Sequence, residues 1–235
     1  MEADAKAYDE LSGPQIEEGS QFVHELNLSL GDKVLDMGCG TGHVTKYIAN
    51  IVGPDGQVVG VDPDAERIKI AKEKYKGISN LQFYVGSSAI GFLYDNEPYY
   101  DVHISTNAFH WIPNDEKSIY LQKAHQCLKS GGKLAIFCAA KMPDDVRTAG
   151  YYPLTQQGCR DLFQEIGFFN DVVVDEPPYL FRFKSFAEFK QWYKASTHLD
   201  LDDEDPVFIK KFITLEDDGQ VSLKGLNICI TACKD

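Results

Sequence analysis

No apolar run in this sequence approaches the roughly 20 residues that cross a bilayer, so no membrane-spanning helix is expected. Positive charge is also short: 23 Lys and Arg stand against 36 Asp and Glu, a formal net charge of −13. Wrapping a phosphate backbone takes clustered Lys and Arg, so nucleic acid is not an expected partner. The leading residues Met-Glu-Ala-Asp-Ala-Lys lack the basic and apolar regions of a secretory signal, and the expectation is a cytoplasmic protein. Cysteines occur at 39, 127, 138, 159, 229 and 233, and none forms a C-x-x-C pair. They read as reduced thiols inside apolar runs. Neither Cys nor His shows the spacing of metal ligands, so no metal site is expected. The chain has no internal repeat and no low-complexity segment.

With 235 residues, 43% hydrophobic and 25% charged, the chain can bury a sizeable core as a single domain, 1–235, with an elaboration. Residues 1–13 are polar and are expected to be loosely held. Pro14 is placed to start a helix over 14–28, closing an N-terminal helical segment, 1–30. Apolar runs at 33–37, 57–61, 81–85, 100–105 and 133–138 read as strands, and helical stripes at 42–52, 64–75 and 115–128 separate them. Gly131-Gly132 is expected to cap the last of these helices. Alternation of this kind predicts a doubly wound α/β fold, with a mostly parallel, Rossmann-like sheet and helices on both faces. Later segments read as a helix over 155–166, a strand near 171–174, an extended piece at 181–183, helices over 186–196 and 206–214, and a last strand at 226–233.

One stretch organises the rest. Lys33-Val-Leu-Asp36-Met-Gly38-Cys39-Gly40-Thr41-Gly42-His43 is a strand, a tight glycine turn and a helix start. Glycine at 38, 40 and 42 lets a ligand press on the backbone, and the helix N-terminus points unpaired N–H groups at it. A dinucleotide site would want G-x-G-x-x-G, whereas the spacing here is G-x-G-x-G with Asp36 just before it. A carboxylate beside a pyrophosphate is repulsive, and beside a cationic ligand it is favourable. In doubly wound folds ligands sit outside the carboxyl ends of the strands at the switch point. Asp62-Pro63, Ser87-Ser88 and Asn107 also follow strand ends, so they should line the same crevice.

The segment Val34–Gly42 resembles the first motif of the class I S-adenosylmethionine-dependent methyltransferases. Val58-Val-Gly-Val-Asp62 is similar to the second motif, Tyr100–Ser105 to the fourth strand, and Leu128–Phe137 to the segment entering the fifth. The resemblance covers about the first 140 residues, with 31–140 as the cofactor-binding core. It implies a seven-stranded sheet with an antiparallel last strand, and S-adenosylmethionine (SAM) as cofactor with S-adenosylhomocysteine as product. Asp36 would face the methionine end. Gly38, Cys39, Gly40, Thr41 and Gly42 would lie against the cofactor, and Asp62 with Pro63 would hold the ribose. Ser87 and Ser88 stand where the family often has an acidic residue near the adenine. An alternative role for Asp62 is a helix N-cap, for which Asp64 competes.

Asn107-Ala-Phe-His110-Trp111 follows the fourth strand, where a methyl acceptor should arrive. The sequence has neither Asn/Asp-Pro-Pro-Tyr nor a Pro-Cys nucleophile. His-Trp resembles small-molecule methyltransferases of the trans-aconitate and juvenile-hormone-acid groups, which esterify carboxylates. His110 is the one candidate catalytic residue, as general base or as hydrogen-bond donor; alternatively, His110 and Trp111 simply pack their loop. Residues 178–216, rich in aromatics, are expected to form a substrate cap inserted before the last strand, or else to bury a helix on the sheet. Tyr8, His110, Trp111, Tyr179 and Trp192 are the candidate acceptor-binding residues. The expected reaction is methylation of a small molecule, first at a carboxylate oxygen and second at an amine nitrogen. The competing classes are a protein- or RNA-modifying methyltransferase and a non-catalytic SAM-binding domain.

Overall fold

The computed structural model describes residues 2–87, 93–94, 96–143, 152–197, 199–203 and 206–235. Helices α1 (Glu2–Leu11) and α2 (Gly13–Glu25) lead into β1 (Lys33–Met37), α3 (His43–Val52), β2 (Gln57–Asp62), α4 (Ala65–Lys74) and β3 (Leu81–Val85). There follow β4 (Tyr100–Thr106), α5 (Lys117–Cys127), β5 (Leu128–Ala139), α6 (Gln156–Ile166), β6 (Asn170–Asp175) and β7 (Pro178–Phe183). Helices α7 (Phe186–Thr197) and α8 (Pro206–Phe212), then β8 (Ile213–Leu215) and β9 (Val221–Cys233), complete the chain.

The main sheet has the order β3-β2-β1-β4-β5-β9-β6. Strands β1 to β5 run parallel, and β9 enters antiparallel between β5 and β6. Side chains alternate across each strand. Val34, Val58 and Ile104 therefore meet Val23, Ile48 and Ile68 on one face, while Leu35, Val59 and Ile136 meet Leu121, Ala124 and Phe163 on the other. The resulting order reverses between β1 and β4, which places a ligand crevice at their carboxyl ends. The expected α/β architecture, mostly parallel with an antiparallel last strand, is what the chain adopts.

Three local expectations need correction. The leading residues are not loose: they form α1, whose inward line includes Ala5 at 1% exposure, and Ser12 just beyond it is equally buried. Its apolar stripe is too thin to announce a helix, because the surface it covers belongs to α4 and α7 rather than to a continuous core. Gly131-Gly132 does not cap α5 either. Helix α5 passes directly into β5 at Leu128, and the glycines lie inside that strand. There the pairing jumps from Tyr100↔Leu128 to Val102↔Lys133, so extra residues bulge out. Gly131 takes φ +76°, while a Cβ on Gly132 would sit 2.8 Å from the Lys129 carbonyl oxygen. Finally, β9 begins at Val221 rather than 226. Its second half, 227–233, belongs to the main sheet, and its first half pairs with β7 and β8 in a small second sheet.

Segment 178–216 has a core of its own. Phe183, Phe189, Trp192, Tyr193 and Phe208 pack with Val221 and Leu223 of β9. Ser185 Oγ accepts the Glu188 N–H at 3.2 Å and starts α7. Phe189 is fully buried at the centre of this cluster. Replacing it with Ala should cost about 3–5 kcal/mol, the usual range for a truncated core phenylalanine, read as the loss of urea-unfolding free energy.

Candidate active site

The glycine turn is built by its backbone. Gly38, Gly40 and Gly42 take φ of +83°, +54° and +83°, a region that favours glycine. The N–H groups of Gly38 and Cys39 donate to the Val61 carbonyl at 2.7 and 3.0 Å, which clamps the turn to the end of β2. A Cβ on Gly38 would lie 2.1 Å from that of Ala108, so the loop after β4 closes directly onto the turn. A Cβ on Gly40 would meet the Tyr8 ring at 3.0 Å, and one on Gly42 would strike Phe83.

Two carboxylates are held near this turn. Asp36 is fully buried between β2 and β4. Thr45 Oγ1 donates to its Oδ2 at 2.7 Å, and its Oδ1 has no partner among the described residues. Burial pushes its pKa from 3.8 to about 7; the Thr45 hydrogen bond pulls the other way and the Asp62 charge adds to the rise. Asp62 is 5% exposed. It accepts the Gly40 N–H on Oδ2 and the Asp64 N–H on Oδ1, each at 2.9 Å. Burial raises its pKa as well, against those N–H groups and Arg67. The helix-cap role falls to Asp64, whose Oδ1 accepts from Glu66 and Arg67, leaving Asp62 facing the crevice.

A cavity of about 330 Å³ opens over these groups and is lined by Gly38, Asp62, Pro63, Ser87 and Asn107 of the expected cofactor set. Cys39 and Thr41 line a smaller adjoining space with Gly38 and Asn107. Asp36 lies beneath the turn and lines neither, and Gly40 and Gly42 turn their open sides to Tyr8 and Phe83. Ser88 lies outside the described residues. In the smaller space Ser12 Oγ, 1% exposed, has no partner. An unpaired buried Asp36 oxygen and an unpaired buried hydroxyl are costly in an apolar setting. A ligand with hydrogen-bonding atoms in the smaller space would satisfy the Ser12 hydroxyl, and an ammonium group there would feel the Asp36 carboxylate from beneath the turn; the residues fit the aminoacyl end of SAM in that respect.

A second cavity, about 120 Å³, lies between the core and segment 178–216. Tyr8, His110, Trp111, Tyr179 and Trp192, the whole expected acceptor set, line it together. His110 is 8% exposed. Its Nδ1 accepts the Ala139 N–H at 3.2 Å, so the neutral ring carries its proton on Nε2. Burial, helped by the Lys117 charge, lowers its pKa to about 3. The loop that carries it is anchored by Lys117, whose buried ammonium donates to the carbonyls of Ile112 and, at 2.8 Å, Tyr152.

Sequence reasoning missed several residues here. Arg67 lines both the cavity over the glycine turn and the cavity beneath segment 178–216. Its guanidinium stacks 4.0 Å above the Tyr8 ring and Nη2 donates to the Ala195 carbonyl at 3.3 Å, so it joins α4 to α1 and α7. Gln15 accepts from Trp192 Nε1 at 2.7 Å and donates to Ser196 Oγ at 2.9 Å. Asp9 accepts from Lys74 at 2.8 and 2.9 Å and lies 2.8 Å from His43 Nε2. Burial would raise the Asp9 carboxyl, yet its hydrogen bonds with Lys74 and His43 bring it below its ordinary value. Arg67 was hidden on the polar side of a helix, and only its spacing from Asp62 could have drawn attention to it. Among the described residues no group of three His, Cys, Asp or Glu could hold a metal ion, and no helix is long and apolar enough to cross a membrane.

Residues 34–132 match a family described as "Methyltransferase domain". The chain is 32% identical over 133 residues to a putative methyltransferase of Invertebrate iridescent virus 6, covering 57% of this chain and 47% of that protein. It is 29% identical over 170 residues to phosphoethanolamine N-methyltransferase 1 of Arabidopsis thaliana, covering 68% and 33%. The chain thus spans about half, or less, of the length of these curated relatives. Among solved structures, Haemonchus contortus phosphoethanolamine N-methyltransferase 2, in complex with phosphomonomethylethanolamine and S-adenosylhomocysteine, superposes with a TM-score of 0.68 at 16% identity, covering 100% of this chain and 58% of that one. The Bacillus YcgJ protein gives 0.67 at 17% identity, over 93% and 98%.

The raised Asp36 pKa has a direct consequence for stability. The folded protein holds on Asp36 a proton that the unfolded chain releases near pH 4, so from there to about pH 7 the folded state binds more protons and stability falls as pH rises. In urea unfolding of the ligand-free protein between pH 5 and pH 8, the Asp36 contribution should appear as a difference in slope: the wild type should lose stability relative to Asp36→Asn as pH rises, while Glu18 and Asp62, raised by burial, and His103 and His110, lowered to about 3 with the opposite sign, act in both proteins. Equal slopes in the two proteins would remove this contribution of Asp36.

Proposed function

We propose that this chain, whose residues 34–132 match a methyltransferase domain, transfers the methyl group of SAM to a small-molecule acceptor, with a carboxylate oxygen as the receiving atom. The observation that carries the cofactor reading is the pair of buried carboxylates under and beside the glycine turn, one of them with an oxygen left unpaired. Ser12 and Thr41 would hold the aminoacyl end, with Asp36 acting on its ammonium from beneath the turn. The lone pairs of Asp62 that its two backbone N–H groups leave open would take the ribose hydroxyls. Gly38 and Cys39 supply close backbone, while Pro63, Ser87 and Asn107 border the nucleoside. When bound, the cofactor supplies an electrophilic methyl on a sulfonium, displaced in one step to leave S-adenosylhomocysteine.

Such a displacement asks the protein to align two reactants and keep water out. The closure of Ala108 on Gly38 and of Tyr8 on Gly40 does the second. For the first, the acceptor cavity offers donors: the Arg67 guanidinium, the Asn107 and Asn227 amides and His110 as its Nε2–H tautomer. No carboxylate lines it among the described residues, although the chain carries a net charge of −13. Donors of this kind suit an anionic oxygen acceptor, which arrives already deprotonated and needs no base. His110 would then orient the acceptor, since a ring held near pKa 3 takes up no proton at neutral pH. One observation favours a second reading, N-methylation of a small amine: Tyr179, Phe181, Trp192 and Tyr193 present aromatic faces to the same cavity, and an ammonium binds such faces.

Calorimetry should detect SAM binding, and Asp62→Ala should weaken it by about 1–3 kcal/mol, the scale of hydrogen bonds to a charged group; unaltered affinity would remove its ribose role. A metabolite extract incubated with isotopically labelled SAM should yield a labelled base-labile ester if the acceptor is a carboxylate, and a base-stable product if it is an amine. With that acceptor in hand, His110→Phe should lower kcat/KM about tenfold and leave the shape of the pH–rate profile between pH 5 and 8 unaltered. Loss of an ionisation near pH 6–7 in the variant would instead make His110 a base.

A further inference from the structure

The loop that brings His110 to the acceptor cavity is held by a buried cation. Lys117, at the start of α5, is 1% exposed. Its ammonium donates to the carbonyls of Ile112 and, at 2.8 Å, Tyr152, and it stands 5.1 Å over the Phe109 ring. These contacts close a circuit around His110. The Tyr152 N–H donates to the His110 carbonyl at 2.7 Å, and the Ala139 N–H donates to its Nδ1 at 3.2 Å. At the near end of the loop the Asn107 N–H donates to the Phe137 carbonyl at 2.7 Å. Lys117 thus joins the far end of the His110 turn, at Ile112, to the segment at Tyr152 that holds the His110 backbone.

Filling this space does not require a charge. No carboxylate lies within ion-pair distance of Lys117 among the described residues, and an ammonium taken out of water is costly unless hydrogen bonds compensate it. Two carbonyls and a ring face do so here, through charge-assisted bonds about twice as strong as neutral ones. The balance is close: burial lowers the Lys117 pKa from 10.5 to about 8. The groups that face it from neighbouring elements keep their charge near that pH. Burial pushes up the thiols of Cys138 on β5 and Cys159 on α6, the latter to about 12, and lowers His110 to about 3. Tyr120, one turn along α5, is raised by burial as well. Asp115 and Glu116, just ahead of Lys117, are exposed.

We propose that Lys117 is a positioning residue for methyl transfer: its ammonium fixes the His110 loop in the pose that meets the acceptor, and the hold weakens when that ammonium loses its proton. This rests on the reading of His110 as the group that orients the acceptor. A neutral amine donates weaker hydrogen bonds than an ammonium, so without the charge the Ile112 and Tyr152 carbonyls part more often and His110 is less firmly placed. Global stability moves the other way. The folded protein gives up this proton before the unfolded chain does, so between about pH 8 and pH 10.5 the Lys117 contribution to stability rises with pH. Loosening of the loop is therefore separable from unfolding of the domain.

Residue-resolved amide hydrogen exchange tests the clamp without any acceptor. Once the intrinsic exchange rate is divided out, protection of the Tyr152 and Ala139 amides should fall about tenfold between pH 7 and pH 9, while the Gly38 and Cys39 amides, bonded to the Val61 carbonyl, keep theirs. Lys117→Met, similar in size and without charge, should show the lower protection at both pH values. Lys117→Arg keeps its charge throughout and should show no decline. Wild-type protection that is the same at pH 7 and pH 9 overturns the proposal whether or not the variants fold, as does an equal decline in Lys117→Met. Turnover is read with labelled SAM and the metabolite extract at limiting extract. The wild-type rate should exceed that of Lys117→Met about tenfold at pH 7, with the ratio shrinking toward one at pH 9, and SAM affinity by calorimetry should fall less than about threefold in the variant. A ratio that ignores pH, or an equal loss of SAM affinity, overturns the positioning role. Exchange that follows Lys117 in a protein that transfers no label would refute the methyl-transfer reading and leave the hold on His110 standing.

Discussion

A carboxylate buried in the middle of a parallel sheet is the constraint on which the rest of the site depends. Asp36 sits in register with Gly60 on one side and Ile104 on the other. Thr45 of α3 satisfies one of its oxygens. That hydrogen bond ties the first turn of α3 to β1, and the chain between them can close only through glycines in the left-handed region. The turn then needs the Val61 carbonyl for two of its N–H groups and Asp62 for a third. One desolvated acid therefore dictates the turn, the seating of β2 and the orientation of the second acid. It also costs the ligand-free protein stability, as sites that wait for a charge of opposite sign do.

Much of this was legible in the sequence, because the core strands are short, strongly apolar and punctuated by glycine or Asp-Pro. The five parallel strands, their helices and the crevice at β1 and β4 follow from periodicity and handedness alone. What periodicity cannot carry is contact between residues far apart. Gln15 bonds Trp192 across 177 positions, and Arg67, which stacks on Tyr8, reaches the Ala195 carbonyl across 128. Helix α1 was obscured because most of its partners are other surface elements. The glycine pair at 131 and 132 carried the usual signature of a helix stop, and tertiary pairing overrode it with a bulge.

The aromatic-rich segment shows why two readings of one pattern need not compete. Phe183, Phe189 and Phe208 are buried in a local core, as expected of side chains that hold a helix down. Tyr179, Phe181, Trp192 and Tyr193 belong to that cluster or pack against it, yet they also line the cavity between the core and this segment. Packing and cavity lining share the same rings, so the shape of the cavity is set by the stability of the segment that roofs it.

Strand β9 gives that roof a mechanical character. It is one continuous strand of 13 residues, anchored by 227–233 in the main sheet and by 221–226 in the small sheet under the roof. A swing of the roof would have to twist or break a strand paired along most of its length. Helix α1 is fastened by a different class of interaction: the Asp9–Lys74 ion pair, the Asp9–His43 contact and the Arg67–Tyr8 stack. Partly exposed contacts of this kind are each worth about 1 kcal/mol or less, far less than a run of ladder hydrogen bonds lost together. Of the two elements that border these cavities, the roof is therefore the one fixed by a continuous ladder, and the first helix the one held by side-chain packing and partly exposed polar contacts.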